Sequence, residues 1–457
     1  MEIKEEVSNI FETRRQVESF IYSSYLRAIK NIDIRLPDRE TRTPKLTKQL
    51  LNMVQNPDSK QRNVLVTGSK GKGSVSRMIS KLLEAHGYRV GLFTSPHLVN
   101  FNERIRINGI AISDENLIKY AEIVKPYVDE IEKKLPDNKY IGPVGLTSVM
   151  AMLYFYDNKT DFNIVECGKG ARYDDVCMNE SEISVINNVF LEHVPQLGNN
   201  LAEIAYNKAG IVKSSQKAVF SAEQPKEVSN IIEETAKNLK IELKIYGYNY
   251  ISKNIKISSK GTTFDIITAN KEYPNLQLTL LGRHQAKNAA LAVGVAESLI
   301  GELDQIRVRE SFRKLTWPGR LELVNLNPLT ILDGCINREC ASYVKEIIKE
   351  IGKEKMVFVI GIPDDKDFEG VLDEFSEDAY KIIMTTTKHQ HHKFSSLQQV
   401  RALEMIKEKY LYKDIVDDAI REAYEILEGG GLLVILGTQS LIRETKEFFN
   451  QDTTNLD

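Results

Sequence analysis

Short apolar runs, each ending at glycine or a polar turn, alternate along most of this chain with stretches in which apolar residues recur every three or four positions. NVLV at 63–66 is the first such run. After it, Val75, Met78, Ile79, Leu82 and Leu83 fall at i, i+3, i+4, i+7 and i+8, the spacing of one helix face. RVGLFTS, DFNIVECG, EISVINNVF and KAVFSA read as further strands, with LAEIAYNKAGIV as helical text among them. Strands alternating with helices predict an α/β fold whose mostly parallel sheet is covered on both faces. Residues 245–281 break the pattern: GTTFDIIT and LQLTLLG predict a β-rich insertion or a sheet edge. NAALAVGVAESLI returns to helix. A second α/β unit follows, with PLTILDG, KMVFVIGI, YKIIMTTT and GLLVILGT as strands and CASYVKEIIKEI as a helix between them. The boundary is placed in IGELDQIR, giving domains 1–301 and 302–457. Residues 1–60 are polar, with helical patches such as VESFIYSSYLRAI.

Length agrees with this division, because 457 residues exceed what one compact core organises. A net charge of -3 gives no electrostatic case for nucleic acid or an anionic membrane. No apolar stretch approaches the roughly 18 residues of a membrane helix. The charged N-terminal text lacks the apolar core of a signal peptide. Cys167, Cys177, Cys335 and Cys340 show no zinc-site spacing and are too few to staple the chain, so a cytoplasmic location is expected. The tract KHQHHK at 388–393 reads as a surface loop, since no carboxylate or cysteine lies nearby in sequence to complete a metal site.

The segment VTGSKGKGS carries the first chemical signal. Gly68, Gly71 and Gly73 allow a tight turn whose backbone N–H groups can approach an anion, and the following helix start adds favourable partial charge. Lys72 could reach terminal phosphates and Ser74 could ligate magnesium. The spacing departs from G-x-x-x-x-G-K-[ST], because Gly73 separates Lys72 from Ser74. Glu166 ends the run FNIVE, on the strand edge where α/β ligands bind, and could complete a magnesium site with Ser74 or be a solvated strand-end acid. Taken alone, His193 in FLEHVPQLG reads as structural and Lys208 in YNKAGIV as a surface helix lysine.

VTGSKGKGS, LFTSPHLVNFNERIRING, NNLAEIAYNKAGIVK, LLGRHQAKNAALAV and WPGRLELV, in this order, resemble folylpolyglutamate and dihydrofolate synthases, within the Mur ligase family of ATP-dependent amide ligases. The resemblance runs from about residue 60 to 440, and the displaced serine matches the family loop G-x-x-G-K-G-S. It implies an N-terminal P-loop ATPase domain and a smaller C-terminal Rossmann-like domain, with ATP in the cleft. By matching motif, Gly68, Gly71, Lys72, Gly73 and Ser74 would bind ATP, with Asn288 near the adenine and Arg320 and Asp333 facing the nucleotide from the second domain. Ser74, Glu166 and His193 would hold magnesium, in the two sites that the resemblance implies. Lys72, Lys208 and His193 would be catalytic, Lys208 matching a lysine often carbamylated in this family. Ser95, His97 and Arg172 would contact substrate. The implied partners are a small-molecule carboxylate and an amino acid, with no nucleic acid or membrane and a monomer favoured.

The chain departs from the family at named places. DGCINRE stands for D-G-A-H-N-P, which puts Ile336 at the histidine. ECGKGARYDDVCMN stands for E-V-G-L-G-G-R-x-D-A-T-N, changing Lys169, Ala171, Asp175, Val176 and Cys177. Glu192 replaces an aspartate, and PVG around Val144 and Gly145 replaces F-F-E. Two alternatives to a folate ligase follow: the same chemistry on a non-folate carboxylate of cell-wall or specialised biosynthesis, and a nucleotide-binding protein without ligase activity.

Overall fold

The computed structural model describes residues 10–33, 35–388 and 394–456. Most of the histidine tract, residues 389–393, lies outside the described residues, as do the first nine. The first sheet has eight strands: β1 (Asn63–Thr67), β2 (Val90–Phe93), β3 (Ile105–Ile107), β4 (Ile110–Ala111), β5 (Phe162–Glu166), β6 (Ile183–Ile186), β7 (Ala218–Ser221) and β8 (Glu242–Ile245). Their order is β4-β3-β2-β5-β1-β6-β7-β8. All pairings are parallel except β2 with β3 and β3 with β4. Because the sheet is covered on both faces, its central strands β5, β1 and β6 are buried along their whole length. In β1, Leu65 packs into one core and Val64 and Val66 into the other.

Residues 250–278 form a separate antiparallel sheet of β9 (Tyr250–Ser258), β10 (Gly261–Thr268) and β11 (Glu272–Leu278). The second unit is a six-stranded sheet of β12 (Glu322–Leu326), β13 (Leu329–Asp333), β14 (Met356–Gly361), β15 (Lys381–Thr385), β16 (Tyr410–Lys413) and β17 (Leu432–Gly437). The order is β12-β13-β17-β14-β15-β16, and only β12 runs antiparallel to its neighbour. Along β14, Phe358 and Ile360 enter one core and Val357 and Val359 the other. The fold is therefore α/β with two parallel-rich sheets.

Helix Gln305–Arg313, which lies beyond the expected boundary at 302, packs on β11 and on helix Lys72–Ala85 of the first unit. The units also meet where Arg283 pairs with Glu346 at 3.1 Å and Glu350 at 3.0 Å on helix Arg338–Ile351. Residues 453–456 return from the second unit to the first, where Asn455 bridges to Ile110 of β4. Among the described residues, no helix is long and apolar enough to cross a membrane. All four cysteines are free and buried.

Candidate active site

Strand β1 lies between β5 and β6, and all three run in the same direction. Their carboxyl ends therefore open on one edge, the place where an α/β sheet can hold a ligand. Glu166 and the glycine turn both lie there. Register places Glu166 at the end of β5 beside Val66 of β1. Residues 68–71 turn from β1 into helix Lys72–Ala85, whose cap residue Gly71 has φ 71°. A β-carbon at Gly68 would lie 2.8 Å from Cβ of Asn187, so the turn needs the missing side chain. Gly73 has a different reason for being glycine: a β-carbon there would approach the Trp317 ring to 3.0 Å.

Within the turn the Lys72 ammonium donates to the Gly68 carbonyl at 3.1 Å. Buried Lys208, from helix Leu201–Ala209, donates to the same carbonyl at 2.8 Å and pairs with Glu192 at 2.8 Å. Burial pushes the Lys208 ammonium down to about 8; Glu192 opposes that shift and Lys72 adds to it. Asn187 donates to the Lys70 carbonyl at 3.1 Å and to Asn288 at 3.0 Å, and Asn288 donates to Gln285 at 3.1 Å. Through Asn187, Asn288 thus props the glycine turn from helix Arg283–Ile300. Asn187 was not singled out from sequence, although its place just after strand β6 follows the same strand-end rule that marked Glu166.

Glu166 is 5% exposed, and burial raises its carboxyl to about 7 against the opposing pull of Lys72, the Ser95 N–H and Arg320. The Ser95 N–H donates to it at 3.2 Å. Among the described residues it makes no ion pair at contact distance, and the buried Ser74 hydroxyl has no hydrogen-bond partner. A buried carboxylate and an unsatisfied hydroxyl beside a glycine turn fit a hard, oxygen-seeking cation. His193 is placed differently. It is exposed, has φ 48°, and its Nε2 lies 3.8 Å from Glu192. Partial burial lowers its pKa despite Glu192, and the charges of Lys169, Lys208 and Lys72 lower it further. No three His, Cys, Asp or Glu side chains gather as a ligand set among the described residues.

The passage into the second unit, with Trp317 and Arg320, supplies the opposite wall. Arg320 acts electrostatically on both Glu166 and Asp333, and Asp333 accepts the Leu321 N–H at 2.9 Å. Burial raises the Asp333 carboxyl, while Arg320 and Lys70 oppose that shift. The intervening cleft is lined by Gly73, Ser95, His97, Glu166, Trp317 and Arg320 among others. His97 Nδ1 accepts from Arg104 Nε at 3.0 Å, and burial next to Arg104 lowers the imidazole to about 4, so it is neutral near pH 7. Arg172 stands apart from that lining, with its guanidinium 3.9 Å from the centre of the Tyr206 ring.

The departures in 169–177 have structural partners. Lys169 pairs with Asp38 at 2.9 Å, and Arg42 joins Asp38 (3.4 Å) to Asp174 (3.2 Å). Asp175 accepts from Thr47 at 3.3 Å and fills space above Gly142 and Gly145. A β-carbon on Gly142 would lie 2.1 Å from its carboxylate, and one on Gly145 would lie 2.6 Å from its Cβ. Asp175 and the glycines of GPVG therefore replace each other's volume. Gly142→Ala is expected to destabilise the protein by ~1–3 kcal/mol, and adding Asp175→Ala should recover most of that loss. Additive losses in urea titrations of the two single variants and the double variant would contradict the coupling. Nothing in the structure explains Ile336.

Residues 66–296 match the Mur ligase middle domain. The chain is 33% identical over 343 residues to the dihydrofolate synthase/folylpolyglutamate synthase of Bacillus subtilis (strain 168), covering 73% of this chain and 79% of that protein. It is 27% identical over 331 residues to the folylpolyglutamate synthase of Lacticaseibacillus casei, covering 72% and 77%. The solved structure of Mycobacterium tuberculosis folylpolyglutamate synthase complexed with ADP superposes with a TM-score of 0.83 at 25% identity, over 94% of this chain and 99% of that one. With this sequence match spanning β1 to helix Arg283–Ile300 and this shared architecture, the chain belongs to the Mur ligase family, in its group of folylpolyglutamate and dihydrofolate synthases.

Proposed function

We propose that the carboxylate substrate is a folate-type acid and the incoming amine glutamate. The chain is an ATP-dependent, ADP-forming acid–amino-acid ligase. The observation that carries the reading is the meeting at one sheet edge of the glycine turn, buried Glu166 and, from the passage between the units, Arg320. In this reading a substrate carboxylate oxygen attacks the γ-phosphorus of ATP, ADP leaves, and the amine opens the acyl phosphate to give the amide and phosphate. Lys72 and Arg320 neutralise charge on the transferring phosphoryl group. Ser74 and Glu166 would hold magnesium, and His193 would belong to a second such site. Magnesium supplies charge neutralisation of the phosphates. Asp333 fixes the backbone after Arg320 and so orients that side chain. Gly68, Gly71 and Gly73 shape the phosphate cradle, with Asn288 supporting it. Ser95, His97 and Arg172 are assigned to substrate, Ser95 also holding Glu166 through its N–H.

Lys208 is assigned as a carbamate, formed when its neutral amine adds CO2 and releases a proton. Its lowered pKa makes the neutral amine accessible near pH 8. The domain division belongs to the same reading. We place the passage at 316–321 rather than at 302, because helix Gln305–Arg313 packs on the first unit. A monomer acting on small molecules is the reading proposed, with the assigned residues reaching the cleft from both units of this chain. Neither alternative is favoured, since several changes that motivated them pair with residues inside the protein.

Purified protein with ATP and magnesium is expected to release ADP only when a reduced folate or dihydropteroate and glutamate are both present. Coupled detection of ADP with mass analysis of the product checks this. ADP release with another acid, and none with any folate, would overturn the substrate assignment and keep the ligase.

A further inference from the structure

The segment after the last helix, residues 453–456, is bound to the first unit at several points. Arg106 donates to the carbonyls of Thr453 at 2.6 Å and Thr454 at 2.7 Å. Arg77 donates to the Leu456 carbonyl at 3.0 Å, and the Ala111 N–H donates to that of Thr454 at 2.9 Å. The Thr453 hydroxyl donates to Glu103 Oε1 at 2.6 Å. Thr453 and Glu103 are both buried.

Glu103 is where this segment meets the cleft. Its Oε1 also accepts the N–H groups of Val99 at 3.1 Å and Asn100 at 2.8 Å, and its Oε2 accepts that of Leu98 at 2.9 Å. One carboxylate therefore splints three consecutive amides directly after Ser95 and His97. Glu103, Arg106 and Leu98 themselves line the cleft. Three amides and a hydroxyl converging on one carboxylate fix its orientation, and charge-assisted bonds of this kind are stronger than neutral ones.

We propose that Glu103 is a positioning residue for the substrate loop 95–98, and that Thr453 sets it, so that the second unit's trailing segment helps shape the acceptor side of the cleft. The role in turnover rests on the reading of Ser95 and His97 as substrate contacts; the splint itself does not. Trp317 and Arg320 reach the same cleft from the passage between units, where the Thr316 hydroxyl donates to the Leu456 carbonyl at 2.9 Å. Both points at which the chain crosses between units are thereby tied together beside this loop.

The test compares Glu103→Gln, Thr453→Val, Thr453→Ser and Thr454→Ala in the full chain. Thr454 serves as control because its hydroxyl donates to Asp452, whereas the bonds from Arg106 and Ala111 go to its carbonyl, which the substitution keeps. Hydrogen exchange of a peptide covering 98–100 is expected to quicken about 10-fold in Thr453→Val. The KM for the carboxylate substrate should rise several-fold, with the KM for ATP and the Tm little changed. Thr453→Ser should restore both properties, and Thr454→Ala should resemble the parent. Glu103→Gln should show larger effects of the same kind. Unchanged exchange at 98–100 in Thr453→Val overturns the splint, whatever the substrate proves to be. Faster exchange with an unchanged carboxylate KM overturns the positioning role. If Glu103→Gln fails to fold, Thr453→Val still decides.

Discussion

Lys72→Ala is expected to lower kcat for ADP formation on the order of 10³-fold, with a smaller effect on the KM for ATP and little change in Tm. Lys72 stands at the first position of the helix that follows the glycine turn, with its ammonium held by the Gly68 carbonyl. A cation there matters most when negative charge shifts during phosphoryl transfer, so its removal acts more on the transition state than on binding. Neighbouring Lys208 is a poor substitute, because it is buried and bound to Glu192 and Gly68. Steady-state kinetics and a thermal melt check the prediction. A variant retaining a tenth or more of the parent kcat removes Lys72 from the assigned role.

Lys208→Ala is expected to lose roughly 100-fold or more in kcat, and the nature of its rescue reports what the side chain does. Removal leaves the Glu192 carboxylate without its partner at 2.8 Å and the Gly68 carbonyl with one donor fewer. If Lys208 works as a carbamate, acetate or another short carboxylic acid should restore part of the rate by supplying the missing carboxylate. If it works as an ammonium, small amines should restore activity and carboxylic acids should not. Full activity in the variant removes Lys208 from the mechanism.

The parallel strands are legible in the sequence because sheets covered on both faces demand near-continuous apolar runs. NVLV, FNIVE and MVFVIG have no solvent face to encode. The strands that escaped notice lack this constraint. β9 exposes Lys253, Asn254 and Lys256, β16 is half-buried throughout, and the short β3–β4 hairpin lies inside a motif read for its chemistry. The same division holds at the site. Glycines, Lys72 and Glu166 announce themselves because their loop and strand contexts are local. The partners of Lys169 and Asp175 lie in the helical text before β1 and in the segment before helix Pro143–Asp157. A single sequence gives no sign of such distant pairing, so complementary changes look like drift. The expected boundary at 302 missed the packing of helix Gln305–Arg313 on β11 for the same reason.

Residues 453–456 also bear on solubility, because they lie along a sheet edge. Strand β4 is the last strand on its side of the eight-stranded sheet, and Ile110 in it is 56% exposed. An uncovered edge of this kind offers its free amides and carbonyls to any other extended chain, which is a common start to aggregation. Here the Ala111 N–H and the Gly109 carbonyl are already occupied by Thr454 and Leu456. The protein supplies its own partner for this edge, and a molecule that released this segment would expose a surface prepared to pair with its neighbours.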